Sequence, residues 1–263
     1  MCYSARLGVT SALLDYYISR VPLGDWTVPI VVVAAALPML LVERLRPGRA
    51  WPTMRGWWIR ALAFTAVQAG SVFAAGKLWE PWMQTHRLWS AEALGLPASV
   101  AIGYLVHTFV YYWWHRARHE VPFLWRWVHQ VHHSPRRIEL VTSFYKHPIE
   151  ILINGVLSSA VLYLVVGVSP LAASATMLVN GLAELFYHWN VKTPHWIGYL
   201  VQRPESHCVH HQQNVHGYNF GDLPVFDWMF GTLQNPREWD STCGFGGDEE
   251  HRLREMLIGR DIT

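Results

Sequence analysis

Val110-Tyr111-Tyr112-Trp113-Trp114-His115-Arg116-Ala117-Arg118-His119 closes an apolar run of membrane length with a belt of aromatic rings, then sets two histidines four residues apart. Trp and Tyr concentrate where a membrane meets water. Residues four apart on a helix share a face, with Cβ atoms roughly 5–6 Å from each other. A helix that ends in this way delivers His115 and His119 together at the edge of the bilayer. Two further clusters repeat the device: His129-Gln-Val-His132-His133 and His207-Cys-Val-His210-His211. Such spacing aims two or three imidazoles at one point, as metal binding requires. Together the clusters hold more histidines than one tetrahedral ion takes, and they suit two ions that keep positions open for a substrate.

Working outward, 51% of the 263 residues are hydrophobic, 15% are charged and 15 are Trp. That composition belongs in a bilayer. A net charge of +2 gives no reason to expect a nucleic acid partner. Cys2, Cys208 and Cys243 form no CxxC pair, which argues against a disulfide framework or a cysteine-ligated cluster. Cys208, between two candidate ligands, reads as a small residue filling a helix. The N-terminus lacks the Lys/Arg-led short apolar core of a signal peptide.

Apolar runs cover residues 28–42, 57–78, 97–114, 149–168 and 171–187. Most approach the ~20 residues that cross a ~30 Å hydrocarbon core as a helix. The first is the shortest and is extended by its flanks, tilted or re-entrant. Gly167-Val-Ser-Pro170 is a turn signal that makes the last two runs a helical hairpin. The expected fold is all-α, a polytopic transmembrane bundle of about 4–5 membrane helices. Above it sits a cytosolic, histidine-rich helical cap holding a two-metal site.

Sidedness follows from the basic residues. Arg44, Arg46, Arg49, Arg55 and Arg60 fill the first short loop, whereas residues 80–98 contain Arg87 alone. Excess Lys and Arg mark cytosolic loops. Counting crossings from there puts residues 115–147 in the cytosol, and that stretch itself carries Arg116, Arg118, Arg126, Arg136, Arg137 and Lys146. The hairpin leaves and returns, bringing the third cluster to the same face. The basic residues are accounted for by this sidedness and by contact with anionic headgroups.

His188, in Phe186-Tyr-His188-Trp-Asn190, emerges at the depth of a ninth ligand or of an interfacial aromatic belt. His147, before Pro148, and His195, after Pro194, are open between further ligand, orienting partner and helix boundary. His86, His107 and His251 read as hydrogen-bonded residues outside the site, and His216 as a loop residue. Glu150 and Glu184 lie at the cytosolic ends of the hairpin. There they either hold ligating imidazoles through the second ring nitrogen or reach interfacial water. His119-Glu120 has no second histidine in the HExxH register, which excludes that zinc-protease pattern.

The stretches Tyr112-Trp-Trp-His115-Arg-Ala-Arg-His119, Trp125-Arg-Trp-Val-His129-Gln-Val-His132-His133-Ser and Lys146-His147-Pro-Ile-Glu150 follow one another in a set order. Phe186-Tyr-His188-Trp-Asn190, Arg203-Pro-Glu-Ser-His207-Cys-Val-His210-His211, Asn219-Phe-Gly221 and Phe230-Gly-Thr232 complete the series. Spread over roughly the second half of the chain, they resemble the fatty acid hydroxylase and sterol desaturase superfamily of integral-membrane di-iron oxygenases. The resemblance implies two iron ions, O2 as co-substrate, and hydroxylation or desaturation of an unactivated C–H bond in a lipid such as a sterol or fatty acyl chain. It implies as ligands His115, His119, His129, His132, His133, His188, His207, His210 and His211. It also divides the chain into N-terminal membrane helices (1–96), a fatty acid hydroxylase-like catalytic domain (97–240) and a C-terminal cytosolic tail (241–263).

No GxGxxG or nucleotide-binding unit is present, so electrons are expected from an external ferredoxin or cytochrome b-type protein and its reductase. Phe226-Asp227 stands where many members of the superfamily have Trp-Asp. Lys192 stands where some hydroxylases have another histidine, which leaves a tenth ligand open between His147 and His195. Two rival readings remain. A bis-histidine haem protein for membrane electron transfer needs histidine pairs on facing helices, and a metal transporter needs polar residues near mid-bilayer.

Overall fold

The computed structural model describes residues 27–247 and 251–263, and every regular element among them is a helix. Five long helices coincide with the five apolar runs. They are α1 (Thr27–Leu45), α2 (Trp57–Leu78), α3 (Leu96–Glu120), α5 (Pro148–Ser159, continued as a π-helical stretch over Ala160–Val166) and α6 (Pro170–His188). Between α3 and α5 lies α4, built from Pro122–Leu124, a π-helical Trp125–His129 and Gln130–His133. Among the short helices that follow α6 are α7 (Pro204–His210) and α8 (Leu253–Leu257). Prolines open α3, α5, α6 and α7, positions where the missing N–H would have had no helical partner.

Helices α2 and α5 are long and apolar enough to cross a membrane, with mean hydropathy of 1.3 and 2.1 over their most apolar windows. The apolar runs of α3 and α6 are interrupted by Tyr104, His107 and Thr108 and by Thr176, Asn180 and Glu184, which lowers their average apolarity. Large apolar side chains cover the outside of α1 and α2: Ile30 and Leu37 are each 63% exposed, Ile59 77% and Leu62 59%. Such a belt would be an aggregation hazard in water. It suits acyl chains, and the protein is a membrane protein.

The connections segregate to two ends. At one end, Leu88 N–H donates to the Leu164 carbonyl at 2.7 Å, and Ala91 N–H reaches the carbonyls of Val166 and Gly167 at 3.2 Å. The α2–α3 connection therefore lies on the α5–α6 turn. Gly167 adopts φ 66°, and a Cβ there would strike the Trp89 carbonyl, so this turn needs glycine twice over.

At the other end the first loop meets the histidine-bearing segments. Glu43 Oε2 accepts from the backbone N–H groups of Leu140 and Asn190, both at 2.9 Å. Gly48 N–H donates to the Asn190 carbonyl at 2.8 Å, and Arg49 pairs with Glu205 at 3.2 Å. The loop rich in arginine and all three histidine clusters thus share one end of the bundle.

Residues 241–247 and 251–263, expected as a tail, pack into this cap. Cys243 bridges to Gln212, and Gln130 Nε2 donates to the Arg260 carbonyl at 2.7 Å. Met256 and Ile262 join Met54, Trp57, Phe64, Val131 and Tyr145 in one apolar cluster. Met256 has no exposed surface, so Met256→Ala should destabilise the cap by roughly 2–5 kcal/mol through lost transfer and a residual cavity. Thermal melting of the detergent-solubilised protein checks this. A melting temperature equal to that of the wild type would mean that the tail is not part of the core.

Candidate metal centre

In an α-helix the residue at i+4 is displaced by about 40° around the axis and the one at i+3 by about 60° in the opposite sense. A triplet HxxHH therefore points its first and last imidazoles one way and its middle one another. Both triplets do this. His129 and His133 turn to one group and His132 to the other, whereas His207 and His211 turn to the second group and His210 to the first. His115 and His119, at the end of α3, complete a group of five (His115, His119, His129, His133, His210). His188, the last residue of α6, completes a group of four (His132, His188, His207, His211). Within each group the candidate ligand atoms lie within 4.8 Å of one another. The groups abut, with the rings of His133 and His211 stacked at 4.2 Å between centroids.

The outward nitrogens are held by acceptors. Nδ1 of His115 donates to the Phe220 carbonyl (2.8 Å), that of His132 to Tyr145 (3.2 Å), that of His188 to Glu184 (2.9 Å) and that of His210 to Tyr218 (2.8 Å). His129 Nδ1 faces Glu150 Oε1 at 3.0 Å, and Arg118 pairs with the same carboxylate. A carbonyl accepts only, so His115, His132, His188 and His210 carry their protons on Nδ1 and turn the lone pair of Nε2 inward, whereas His129 Nδ1 lies between the Glu150 carboxylate and the Arg118 guanidinium at 3.2 Å.

This tests whether the residues fit a cation. His115 and His210, both with Nδ1 on a carbonyl, turn lone pairs into the same group, where the candidate ligand atoms lie within 4.8 Å of one another. His210 Nε2 and both nitrogens of His119 are buried without a hydrogen-bond partner. Buried polar atoms left unpaired cost about 1–3 kcal/mol each. Metal ions between the inward nitrogens would remove both the repulsion and the deficit, and neutral imidazoles are the form that binds them. The histidine clusters can hold metal.

Burial pushes the pKa values of His129, His132, His133, His207 and His211 well below the usual histidine range, reinforced by neighbouring imidazoles, by Arg118 ahead of them at His129, and by Lys146 at His129, His132 and His207. His210 is pushed down to about 3, chiefly by burial, against the opposing hydrogen bond to Tyr218.

A second layer fixes the acceptors. Asp227 takes the N–H of Phe220 (2.8 Å) and Gly221 (2.9 Å) and the Thr232 hydroxyl (2.7 Å). It thereby holds the Phe220 carbonyl against His115. Asn219 sits at φ 57° and bonds Ser206, Gln234 and, through its own carbonyl, Gln202. The sequence stretches Asn219-Phe-Gly221 and Phe230-Gly-Thr232 thus acquire a role that the linear pattern did not reveal.

The remaining candidates lie apart. His147 caps α5 by accepting from Ile149 N–H at 3.0 Å, and its Nε2 faces the Leu257 carbonyl at 3.3 Å. His195 Nε2 faces the Asn235 carbonyl at 3.0 Å. Neither joins a group. Glu184 pairs with Lys146 and offers His188 its backbone carbonyl rather than its carboxylate. His107 bonds Ser158 at 3.1 Å. Cys208 packs with Ile138 and Cys243 in a small apolar cluster. His216, read as a loop residue, lies closer than expected: its ring is 5.1 Å from that of His133 and 5.3 Å from Trp125. Its Nδ1 is 3.5 Å from the His210 carbonyl.

A helical membrane protein with two abutting all-histidine groups at one end of its bundle is thereby defined. The fatty acid hydroxylase family profile matches residues 100–232, just over half of the chain, which belongs to that family. It is 28% identical over 202 residues to the very-long-chain aldehyde decarbonylase GL1-4 of Oryza sativa subsp. indica, covering 69% of this chain and 30% of that protein. The ornithine lipid hydroxylase OlsE of Rhizobium tropici is 25% identical, covering 81% of this chain and 69% of that one. The Δ7-sterol-C5(6)-desaturase of Nicotiana tabacum is 28% identical, covering 54% and 51%. The chain thus spans less than a third of the rice decarbonylase and about half of the tobacco enzyme. No solved structure is significantly similar to it.

Two predictions follow from the geometry. Asp227→Asn replaces an acceptor with an amide N–H and releases the Phe220 carbonyl. It should weaken metal binding at the group of five by about 10–100-fold and leave the group of four unchanged, as read by titration against a competing chelator. Equal loss at both sites would remove Asp227 from the support of His115.

The second concerns pH. These histidines protonate near 6.5 when unfolded and far lower when folded, so the unfolded chain binds more protons as pH falls. Stability of the metal-free protein should therefore decline from about pH 6.5 downward, with the loss for His210 complete near pH 3. Denaturation at pH 7.5 and pH 5 checks the sign, and a more stable protein at pH 5 would contradict it.

Proposed function

We propose that the chain is a multi-pass membrane oxidoreductase that uses two iron ions and O2 to hydroxylate or desaturate an unactivated C–H bond of a lipid. The observation that carries this reading is the division of the two HxxHH triplets between adjoining groups of five and four imidazoles. Its relatives' names span lipid hydroxylation, sterol desaturation and aldehyde decarbonylation, which fits a common oxidising centre with differing substrate presentation. The nine histidines are the proposed ligands, and two iron ions held there would supply O2 activation and the oxidation of the C–H bond.

The chain's own residues position and seclude. Neutral nitrogen ligands leave the full positive charge on the metals, and the carbonyls behind His115, His132, His188 and His210 fix the direction of each lone pair. Phe220 lies against His115, His119 and His210 at 5.3–5.7 Å between ring centroids, apolar surface that keeps water off the group of five. Below the site, α3 and α6 lead from the apolar bundle to the metals, so a lipid tail can approach from the membrane side. Its placement relative to the irons decides between adding a hydroxyl and removing a second hydrogen.

Arg46, Arg49 and Arg55 lie in the loop that packs on the cap, with Arg44 and Arg60 in the helix turns that flank it, which supports a cytosolic site by the positive-inside rule. An external ferredoxin or cytochrome b-type protein with its reductase would deliver electrons to that face. The rings of His115, His119, His129, His133 and His210 touch one another at 4.5–5.2 Å. That leaves no slot for a haem macrocycle between them.

The purified chain should carry about two irons, and cells expressing it should accumulate a lipid heavier by one oxygen or lighter by two hydrogens. His132→Ala and His210→Ala should each lower the iron content and abolish the product, while His86→Ala should change neither. Zinc alone, with no O2 consumed in the presence of a reductant, would sink the proposal.

A further inference from the structure

An open cavity of about 450 Å3 lies where the end of α1 meets the segment leaving α6, lined by Val42, Arg46, Gly48, Trp189, Lys192 and Thr193 among others. It is distinct from the histidine groups, although Trp189 directly follows His188. Its floor is built by close packing of two backbones. Gly48 N–H donates to Asn190 at 2.8 Å, and a Cβ on Gly48 would lie 2.5 Å from the Val191 carbonyl carbon. Trp189 is fixed in the wall by its indole N–H, which donates to the Met39 carbonyl at 2.8 Å.

The cavity holds two cations and no carboxylate. Arg46 and Lys192 are both exposed and make no ion pair among the described residues. The carboxylates of the adjoining elements are engaged elsewhere. Glu43 is buried and accepts from Leu140 and Asn190, while Glu205 is buried and accepts from Thr193 N–H, the Thr193 hydroxyl and Arg49. Two free cations therefore face an open space of ligand size. Next to it, the outer face of α1 presents Leu41, Val42 and Leu45, exposed at 59%, 40% and 71%. Trp189, amphipathic and part-buried, marks the depth of a membrane interface. A guanidinium fork and an ammonium point charge match the oxygens of a phosphate, and the apolar stripe of α1 matches the acyl chains that would hang beneath it.

We infer that this cavity binds the phosphate headgroup of an anionic membrane lipid, with Arg46 and Lys192 as its cationic contacts and α1 as the track for its acyl chains. The inference rests on the reading of the chain as a membrane protein whose cap end lies at one interface. It requires neither metal nor turnover.

The full chain in detergent, titrated with phosphatidylglycerol or with phosphatidylcholine of the same acyl chains and read by intact-complex mass spectrometry, tests it. Phosphatidylglycerol should bind preferentially. Arg46→Gln and Lys192→Gln should each weaken it about fivefold, leaving phosphatidylcholine unaffected, and Arg254→Gln, on the exposed side of α8, should alter neither. Unchanged phosphatidylglycerol binding in the two cavity variants would overturn the assignment. Displacement of phosphatidylglycerol by inorganic phosphate at the same concentration would overturn it too, by marking a site for a free anion. Iron content and product formation in the wild type are scored separately, so failure of the oxygenase reading and failure of this one are distinguishable.

Discussion

Nine imidazoles in ring contact, seven of them buried and two half-buried, depend on defined proton positions, and backbone carbonyls impose that definition on four. The acceptors of those Nδ1 protons are the peptide carbonyls of Phe220, Tyr145, Glu184 and Tyr218. A carbonyl cannot donate or change its protonation state, so it fixes the tautomer more firmly than a hydroxyl or a water would. Much of the cap can be understood as the means of holding those four carbonyls still. The loop of residues 219–232 is cross-braced by Asp227 and Asn219, and the ring of Tyr145 stacks on Trp57 at 5.1 Å and meets Phe64 edge-on at 4.8 Å. The Glu184 carbonyl comes with the last turn of α6 itself.

The bundle beneath is tied to this cap by polar contacts where apolar packing alone would leave the helices free to slide. Along the α3–α5 interface, His107 and Tyr111 meet the Ser158 hydroxyl at 3.1 and 2.7 Å, and Trp114 donates to Asn154 at 2.8 Å. Arg118 then pairs with Glu150. Glu150, Asn154 and Ser158 lie four residues apart on one face of α5. This is a register lock, since a slip of one turn would leave every partner unmet in a medium without water. Its upper end is the carboxylate that faces His129, so the depth of the helices and the direction of that imidazole are set by the same contact.

What the sequence discloses and what it hides separate along a physical line. The histidine clusters, the apolar runs, the turn at Gly167 and the shared end of the three clusters are local in origin, arising from spacing, hydropathy and charge read over a few residues or one loop. The braces are not. Glu139 receives Trp57 across 82 residues, Glu43 receives Asn190 across 147, and Arg49 reaches Glu205 from the first loop to α7. Nothing in the local composition around Arg44 or Arg49 distinguishes a residue at a membrane edge from one that pairs with a buried carboxylate, and these two pair with Glu139 and Glu205. Asp227 is hidden for the same reason, since its value lies in three donors that only the folded loop presents. His216 lies in a loop, as its sequence context suggests, and its approach to His133 exists only once that loop is folded.

The two halves of the architecture carry separable duties. The long helices of the bundle contribute His115, His119 and His188 to the imidazole groups, each at the end of a helix, while α4 and the cap segment carrying α7 and His211 contribute the other six. The acceptors that fix tautomers sit in cap loops or at helix ends. Side chains lower on α1, α2, α3 and α6 can therefore vary in bulk and polarity without touching a ligand or its support, provided that the α3–α5 register lock survives. Those faces are the ones a lipid would meet first. A fold divided in this way holds its imidazoles by a rigid, polar, long-range network and leaves the bundle faces to apolar surfaces that make few specific contacts. The candidate centre is accordingly written in the sequence as a pattern of histidines, whereas the apolar faces beneath it are defined only by shape.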